Sequence, residues 1–406
     1  MTRSAPLLLV LLQSLLLSPL AWSEVTVLAD VRVVQADTAG NGLDADLGKT
    51  RFDNSGIDGV FGLDLHADLD IWQLDASLLR YAGSEQVLAI TEAFATLRPI
   101  PSSPWRQQVR AGFFYAPISL ENTVATWQAN GFLTSSAINS WLAEELRTLG
   151  IEWRWTWLGQ FAGSAHDFSV FAAAFDHNDT AGSLLTWRGW SLHDRQIGWD
   201  EAIAYADLPT LAPTGSFRFQ APYAAPFEEV DHRVGYYVGA EWQYRPGLKL
   251  TWLHYNNRGQ PAEIDNGQYS WQTRFQHLGL HWQAHEHWTL LAQWLRGNTQ
   301  MGRSVLRYID NDFTAWYLSL ARQWQVHRFS ARYDDFRVDD RDQTVDDNNQ
   351  EHGHAYTFAW HWQFSTSWQL LTEVQQIDSD RPARLTVATS PEQRERLLQL
   401  ALRFQF

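Results

Sequence analysis

The 406-residue sequence predicts an all-β fold, a transmembrane antiparallel β-barrel of about sixteen strands, with eighteen as the alternative count. Three observations predict it. Residues 397–406 place Leu398, Leu400, Leu402, Phe404 and Phe406 on one strand face, and Gln399, Ala401, Arg403 and Gln405 on the other. Strand side chains repeat every two residues, so one face can meet lipid while the other stays wet. The same alternation recurs along the chain, with connectors that are short on one side and long on the other. Tryptophans gather beside the short connectors, where an aromatic girdle belongs.

The elements follow in order. Residues 1–23 read as a secretory signal peptide: Arg3, an apolar run over 7–20, then Ala21-Trp22-Ser23 before the expected cut. The chain contains no cysteine, so neither a lipid anchor nor a disulfide framework is expected. Beyond residue 23 no stretch approaches the roughly 20 apolar residues of a membrane helix. Residues 24–406 are therefore expected to form the barrel, without a linker, low-complexity tract or compositional break.

Alternation and turn signals place strands at 25–35, 58–69, 72–82, 87–98, 106–115, 148–157, 166–175, 232–244, 248–257, 270–284, 287–297, 313–324, 327–337, 354–364, 367–377 and 395–406. Tight turns are expected at Asp70-Ile71, Pro246-Gly247, Ala284-His285, Gln325-Val326 and Ser365-Thr366. Long loops are expected at 36–57, 116–147, 176–231, 258–269, 298–312, 338–353 and 378–394. Trp72, Trp155, Trp157, Trp242, Trp282, Trp288, Trp324, Trp362 and Trp368 flank the short turns. Short turns on one side and long loops on the other put both termini in the periplasm. A propeller or sandwich also makes many short strands, but no blade-length repeat is found.

Composition agrees. The chain holds 22 Trp, 21 Phe and 13 Tyr but only two lysines, Lys49 and Lys249, and its mean hydropathy is -0.33. A net charge of -15 argues against a nucleic-acid partner. A closed sheet of sixteen strands is too wide for its own side chains to fill, which implies an aqueous channel. Passive passage of small hydrophilic solutes is then the default, and it requires no cofactor. Gly-x-Ser-x-Gly, His-Glu-x-x-His and phosphate-cradling glycine loops are absent from the sequence, so no enzyme is expected. A plugged barrel serving as a surface adhesin or structural protein is the alternative.

Residues 92–97, Glu-Ala-Phe-Ala-Thr-Leu, and residues 109–122, Val-Arg-Ala-Gly-Phe-Phe-Tyr-Ala-Pro-Ile-Ser-Leu-Glu-Asn, resemble the porin O/P group of phosphate-selective-porin-like proteins. Residues 138–141 and 147–150 resemble that group's approach to its next strand. The resemblance implies a 16-stranded, often trimeric, outer-membrane channel whose third long loop folds inward. It does not imply phosphate selectivity, which would need cations on the constriction.

Loop 116–147 is the candidate constriction, with Trp127, Phe132 and Trp141 to fix it against the wall. Its charges are Glu121, Glu144, Glu145 and Arg147. Arg110, Glu152 and Arg154 take the lumen parity of their strands, since Ile151, Trp153, Trp155 and Trp157 claim the lipid face. Opposed carboxylates and guanidiniums would order solutes by charge and dipole; salt bridges on a solvated loop are the competing account. Loop 176–231 carries Trp187, Trp190, Trp199, Tyr205, Phe217, Phe219 and Tyr223 with four prolines, as a lid or as an ordered cap; extra strands near 183–193 would raise the count to eighteen. The acidic loop 338–353 lacks the central glycine of an EF-hand, and His281, His285 and His287 span a turn, so no metal site is expected. His66 and His361 are expected in the lumen. Expected partners are outer-membrane lipid and lipopolysaccharide, permeating solutes or ions, a second and third copy, and the barrel-assembly machinery through the strand ending in Phe406. The expected location is the outer membrane of a Gram-negative cell.

Overall fold

The computed structural model describes residues 23–406 except 39, 41, 84–85 and 305–306; the expected signal peptide lies outside them but for Ser23. Sixteen strands form one closed antiparallel sheet. They are β1 (Glu24–Asp37), β2 (Gly56–Leu69), β3 (Trp72–Tyr81), β4 (Ala89–Leu97), β5 (Trp105–Tyr115), β6 (Arg147–Leu158), β7 (His166–Asp176) and β8 (Gly235–Tyr244). Then follow β9 (Leu248–Asn256), β10 (Gln272–His285), β11 (Trp288–Ser304), β12 (Arg307–Trp324), β13 (His327–Asp340), β14 (Glu351–Gln363), β15 (Trp368–Asp380) and β16 (Glu392–Gln405). Each strand pairs with its neighbours in sequence, and β1 closes on β16 from Leu28↔Gln405 to Asp37↔Arg396. Closure removes the sheet edge, so neighbouring strands satisfy one another's amides without water.

Strand parity sets the two faces as the alternation predicts. On β16, Leu398, Leu400 and Leu402 are exposed on the outside while Gln399, Ala401 and Arg403 are buried within. On β14, Tyr356, Phe358 and Trp362 face out, opposite buried Thr357 and Ala359. Trp72, Trp105, Trp155, Trp282, Trp288, Trp324, Trp362 and Trp368 ring the short-turn end on the outer surface, each at least 36 % exposed. Amphipathic indoles at one rim beneath an aliphatic belt are the surface of a membrane-spanning barrel. Among the described residues no helix is long and apolar enough to cross a membrane.

Three expectations need correction. Residues 298–312 are largely not a loop: β11 and β12 run on to Ser304 and from Arg307 as one long hairpin, paired through Met301↔Ile309. Their alternation there is between polar outer residues, such as Asn298, Gln300, Asp310 and Asp312, and buried Thr299, Met301, Ile309 and Asn311. A search for apolar residues on the outer face stops too early at such a place. For the same reason β13 reaches Asp340, β14 begins at Glu351, β15 reaches Asp380 and β16 begins at Glu392, shortening loops 338–353 and 378–394. Residues 183–193 add no strands; they hold a short helix and irregular chain, and the barrel has sixteen strands.

Two long connections do not stay outside. The chain between β5 and β6 enters the barrel and carries helix α1 (Ala137–Glu145). The chain between β7 and β8 carries helix α2 (Ser183–Trp187), and residues 178–194 are buried throughout. Ser136 caps α1 by accepting a hydrogen bond from the Asn139 amide, the arrangement that satisfies a first-turn donor. Buried inward residues of the wall, including Phe275, Phe313 and Tyr317, form one apolar cluster with Ile138, Trp141, Leu142 and Trp190.

Candidate functional site

The interior is built where the two inward chains meet the polar face of the wall. The β5–β6 connection crosses the lumen, touching strands far round the barrel. The Thr126 amide donates to Asp64 on β2 at 2.6 Å, and the Leu120 amide to Gln293 on β11 at 3.2 Å. The Leu133 amide donates to Glu373 on β15 at 2.7 Å. Its aromatics pack against the wall and the neighbouring strands. Trp127 stacks on Tyr115 with centroids 4.0 Å apart, and Phe132 lies 4.7 Å from the Arg332 guanidinium. Trp141 meets Phe313 and Phe275 edge-on at 5.2 and 5.7 Å.

Glu121 is completely buried. Oε1 accepts from the Ser136 amide (2.7 Å) and Asn139 Nδ2 (2.8 Å), while Oε2 accepts from Arg332 Nη1 on β13 (3.1 Å). It therefore ties the start of α1 to the far wall. Glu144 and Glu145, at the other end of α1, are also completely buried. The Glu144 carboxylate receives Arg188 Nη1 at 2.6 Å and Nη2 at 2.5 Å, and lies 3.0 Å from His193 Nε2. Burial alone would push the Glu144 carboxyl up, but Arg188 and then His193 bring it down to about 2.

Glu145 takes a different set of donors: Trp141 Nε1 at 2.5 Å, Ser183 Oγ and the Leu184 amide at 2.9 Å, and the Gly182 amide at 3.1 Å. Burial raises its pKa despite those four bonds. Gly182 stands at φ 103°, and a Cβ there would lie 2.2 Å from Thr299 Oγ1, so only glycine fits this close approach. Arg147, just after α1, donates to the carbonyls of Thr91 (3.1 Å), Ala143 (2.9 Å) and Ile197, with Phe113, Tyr115 and Phe227 around its guanidinium at 4.8–5.3 Å.

The other three sequence candidates lie on the wall, where Arg110 and Arg154 retain some solvent and Glu152 is buried. Arg110 on β5 pairs with Glu152 on β6 at 3.3 Å, in register with it, and Tyr237 Oη donates to Glu152 at 2.7 Å. Arg154 lies 3.7 Å from Glu241 on β8, which also binds Lys249 on β9 at 2.8 Å. The seven residues thus divide into two groups. Glu121, Glu144, Glu145 and Arg147 hold the inward chains in place; Arg110, Glu152 and Arg154 form a mixed-charge patch on the β5–β9 side.

Several interior charges have no counterpart in the sequence reading. Asp194 binds Arg51 at 2.5 Å and Arg32 at 3.0 Å, while Asp30 joins Arg32 to Arg403. Glu351 gathers Lys49 and Arg381. Arg332 and Glu373 occupy the lumen parity of their strands, a signal that was available. Arg188, His193 and Asp194 lie in irregular chain, where no period reveals which side chains turn inward.

The fold and this interior define a sixteen-stranded membrane β-barrel whose lumen is crossed by two inward connections held by buried ion pairs. No protein-family model matches the sequence, and no curated protein matches it. Similar solved structures do exist. The outer-membrane channel DcaP of Acinetobacter baumannii shares 9 % identity at a TM-score of 0.55, over 94 % of this chain and 96 % of that one. A loop-deletion mutant of OmpT, an outer-membrane protein of Vibrio cholerae, shares 8 % at 0.49, over 94 % and 99 %. A triple mutant of the Rhodopseudomonas blastica porin shares 10 % at 0.46, over 94 % and 99 %. At such identities the likeness to DcaP is one of fold.

Proposed function

We propose that this protein is an outer-membrane channel of the porin O/P type for small hydrophilic solutes or ions, in which the inward connections leave a narrow, mildly selective route. Solutes enter between the long loops, pass the mixed-charge patch of Arg110, Glu152, Arg154, Glu241 and Lys249, and leave at the short-turn end. That end faces the periplasm in this orientation, with lipopolysaccharide around the long-loop end.

The observation that carries the reading is the pairing of an apolar outer face with an inner face that carries paired acids and arginines, in a closed sixteen-strand sheet. Nothing in this reading assigns a chemical step to the protein, and a homotrimer belongs to it as part of the porin O/P resemblance.

Single-channel recording in a planar bilayer tests it, with the reversal potential under a KCl gradient. Discrete steps, altered in ion selectivity by Arg154→Ala, support the reading. A folded, inserted protein that is silent favours the plugged barrel with a surface role. The continuous burial of residues 178–194 is what speaks for that second reading.

A further inference from the structure

At the short-turn end of the lumen lies a cavity of about 330 Å³ between the tip of the β5–β6 connection and strands β12–β16. Its wall contains two arginines, one histidine and four glutamines, and no acidic residue. That is unusual for a chain with 46 acidic and 31 basic residues, so the local charge departs from the average. Arg328 on β13 and His361 on β14 are directly paired in register on the inner face. Gln323 on β12 is paired with Arg328 on its other side. Arg403 completes the cationic side, but it is already committed to Asp30 at 2.8 Å.

Arg328 is different. Among the described residues it makes no ion pair and no hydrogen bond, and its Nε is buried without a partner. His361 Nε2 and Ser330 Oγ are also buried and unpartnered. Ser330 follows Arg328 by two residues on the same face. Both meet the loop tip at Gly131, where a Cβ would stand 2.8 Å from Ser330 Oγ and 2.9 Å from Arg328 Nε. Gly131 has φ 100°, so the tip is shaped to lie close over these groups. Buried polar groups are almost always satisfied, and two of these orphans, on Arg328 and His361, line the same cavity, with Ser330 behind Gly131 at its edge. A guanidinium without a carboxylate is the costliest of them to leave unmet.

We propose that this cavity is a binding site for one small oxyanion, held by the Arg328 guanidinium with His361 completing its hydrogen bonds. Arginine suits the role because its planar fork matches the oxygens of a carboxylate or phosphate. The glutamine amides offer further donors, and the lack of acids leaves no internal competitor. As a station on a permeation route the site rests on the channel reading; as a binding site it can be measured without it.

The test is isothermal titration of the full-length barrel, folded in detergent at low ionic strength, with inorganic phosphate and separately with acetate. Saturable binding of one equivalent is expected. Arg328→Gln should weaken it about tenfold or more, the loss of one charge-assisted contact. Arg396→Gln, on the outer face, should leave it unchanged. His361→Asn serves as a second probe and should weaken binding about threefold or more. Arg328→Gln breaks no ion pair, and heat-modifiable migration on a gel verifies that each barrel is folded. Binding of phosphate but not acetate restricts the site to inorganic oxyanions; binding of both extends it to carboxylate solutes. No saturable heat with either anion, or equal binding by the wild type and Arg328→Gln, overturns the proposal. A silent bilayer beside saturable binding would defeat the channel reading and leave the site standing.

Discussion

The clasp between the two inward connections is the most informative place to perturb. Glu144 ends α1 on one connection; Arg188 and His193 belong to the other, 44 and 49 residues further along. Side-chain exposure is 0 % for Glu144 and 4 % for Arg188, so solvent screening does little to weaken the pair. Glu144→Ala leaves Arg188 with Ser191 Oγ at 2.9 Å and the Gly42 carbonyl at 3.4 Å. Breaking a buried pair from one side costs about 3–5 kcal/mol, mostly the penalty of the stranded charge. The ladders of the sheet do not involve this pair, so the cost falls on docking of the connections rather than on the barrel. At about 1.4 kcal/mol per factor of ten, the docked fraction relative to the loosened one drops by roughly two to three and a half orders of magnitude.

The assay combines single-channel recording with limited trypsin digestion. Arg188 is 3 % exposed in the intact protein and should resist cleavage; in Glu144→Ala it should be cut, while mean conductance or its noise rises. The double variant Glu144→Leu with Arg188→Leu removes both charges together with the cleavage site, so it is read by hydrogen exchange, where slow exchange of residues 183–198 should return in part because a buried pair can be replaced by apolar groups at little cost. Unchanged digestion and conductance in Glu144→Ala would falsify the idea that this pair holds the connections together. The same pair gives a pH signature. The folded carboxyl sits near 2 and an unfolded glutamate near about 4.3, so the contribution is complete above about 4.3 and disappears as pH falls through 2. Trypsin cannot work there, so hydrogen exchange of residues 183–198 at acid pH is the suitable readout.

Other outcomes follow from the same geometry. Arg147→Leu removes donors from three buried carbonyls and should cost about 3 kcal/mol or more of loop docking, seen as faster exchange at 137–147 with heat-modifiability retained. Arg110→Ala combined with Arg154→Ala should shift the reversal potential toward cation preference by freeing Glu152 and Glu241; an unaltered potential would take both arginines out of the route. Asp179, in the β7–β8 connection, is pushed up to about 7 by burial and then by Glu229 and Asp231, although two backbone amides oppose the shift. The folded form then holds a proton that the unfolded chain releases near about 3.9, so stability of this connection should fall as pH rises from about 4 to 7. Asp179→Asn should abolish that trend in hydrogen exchange, and a persisting slope would assign it to another group.

Strand parity and connector length were legible along most of the chain because lipid and water impose opposite demands on alternate residues. Leu398, Leu400 and Leu402 against Gln399 and Arg403 needed no tertiary knowledge, and neither did Ile151 and Trp153 against Glu152 and Arg154. The polar extensions of β11 and β12 were illegible for the same reason, since past the membrane the outer face meets water as well. Loop 116–147 could be picked out by its length and aromatics, but not the work of its charges. Glu144 and Glu145 are adjacent in sequence, yet one is neutralised by Arg188 and the other caps α2, and nothing local distinguishes them. Those partners arrive from a second connection whose irregular backbone has no period. The sequence by itself determined the barrel, because each strand answers to its solvent one residue at a time. Only the tertiary structure decided which charges bind each other inside and which, like Arg328, are left unpaired, because interior pairing depends on where distant segments enter the lumen.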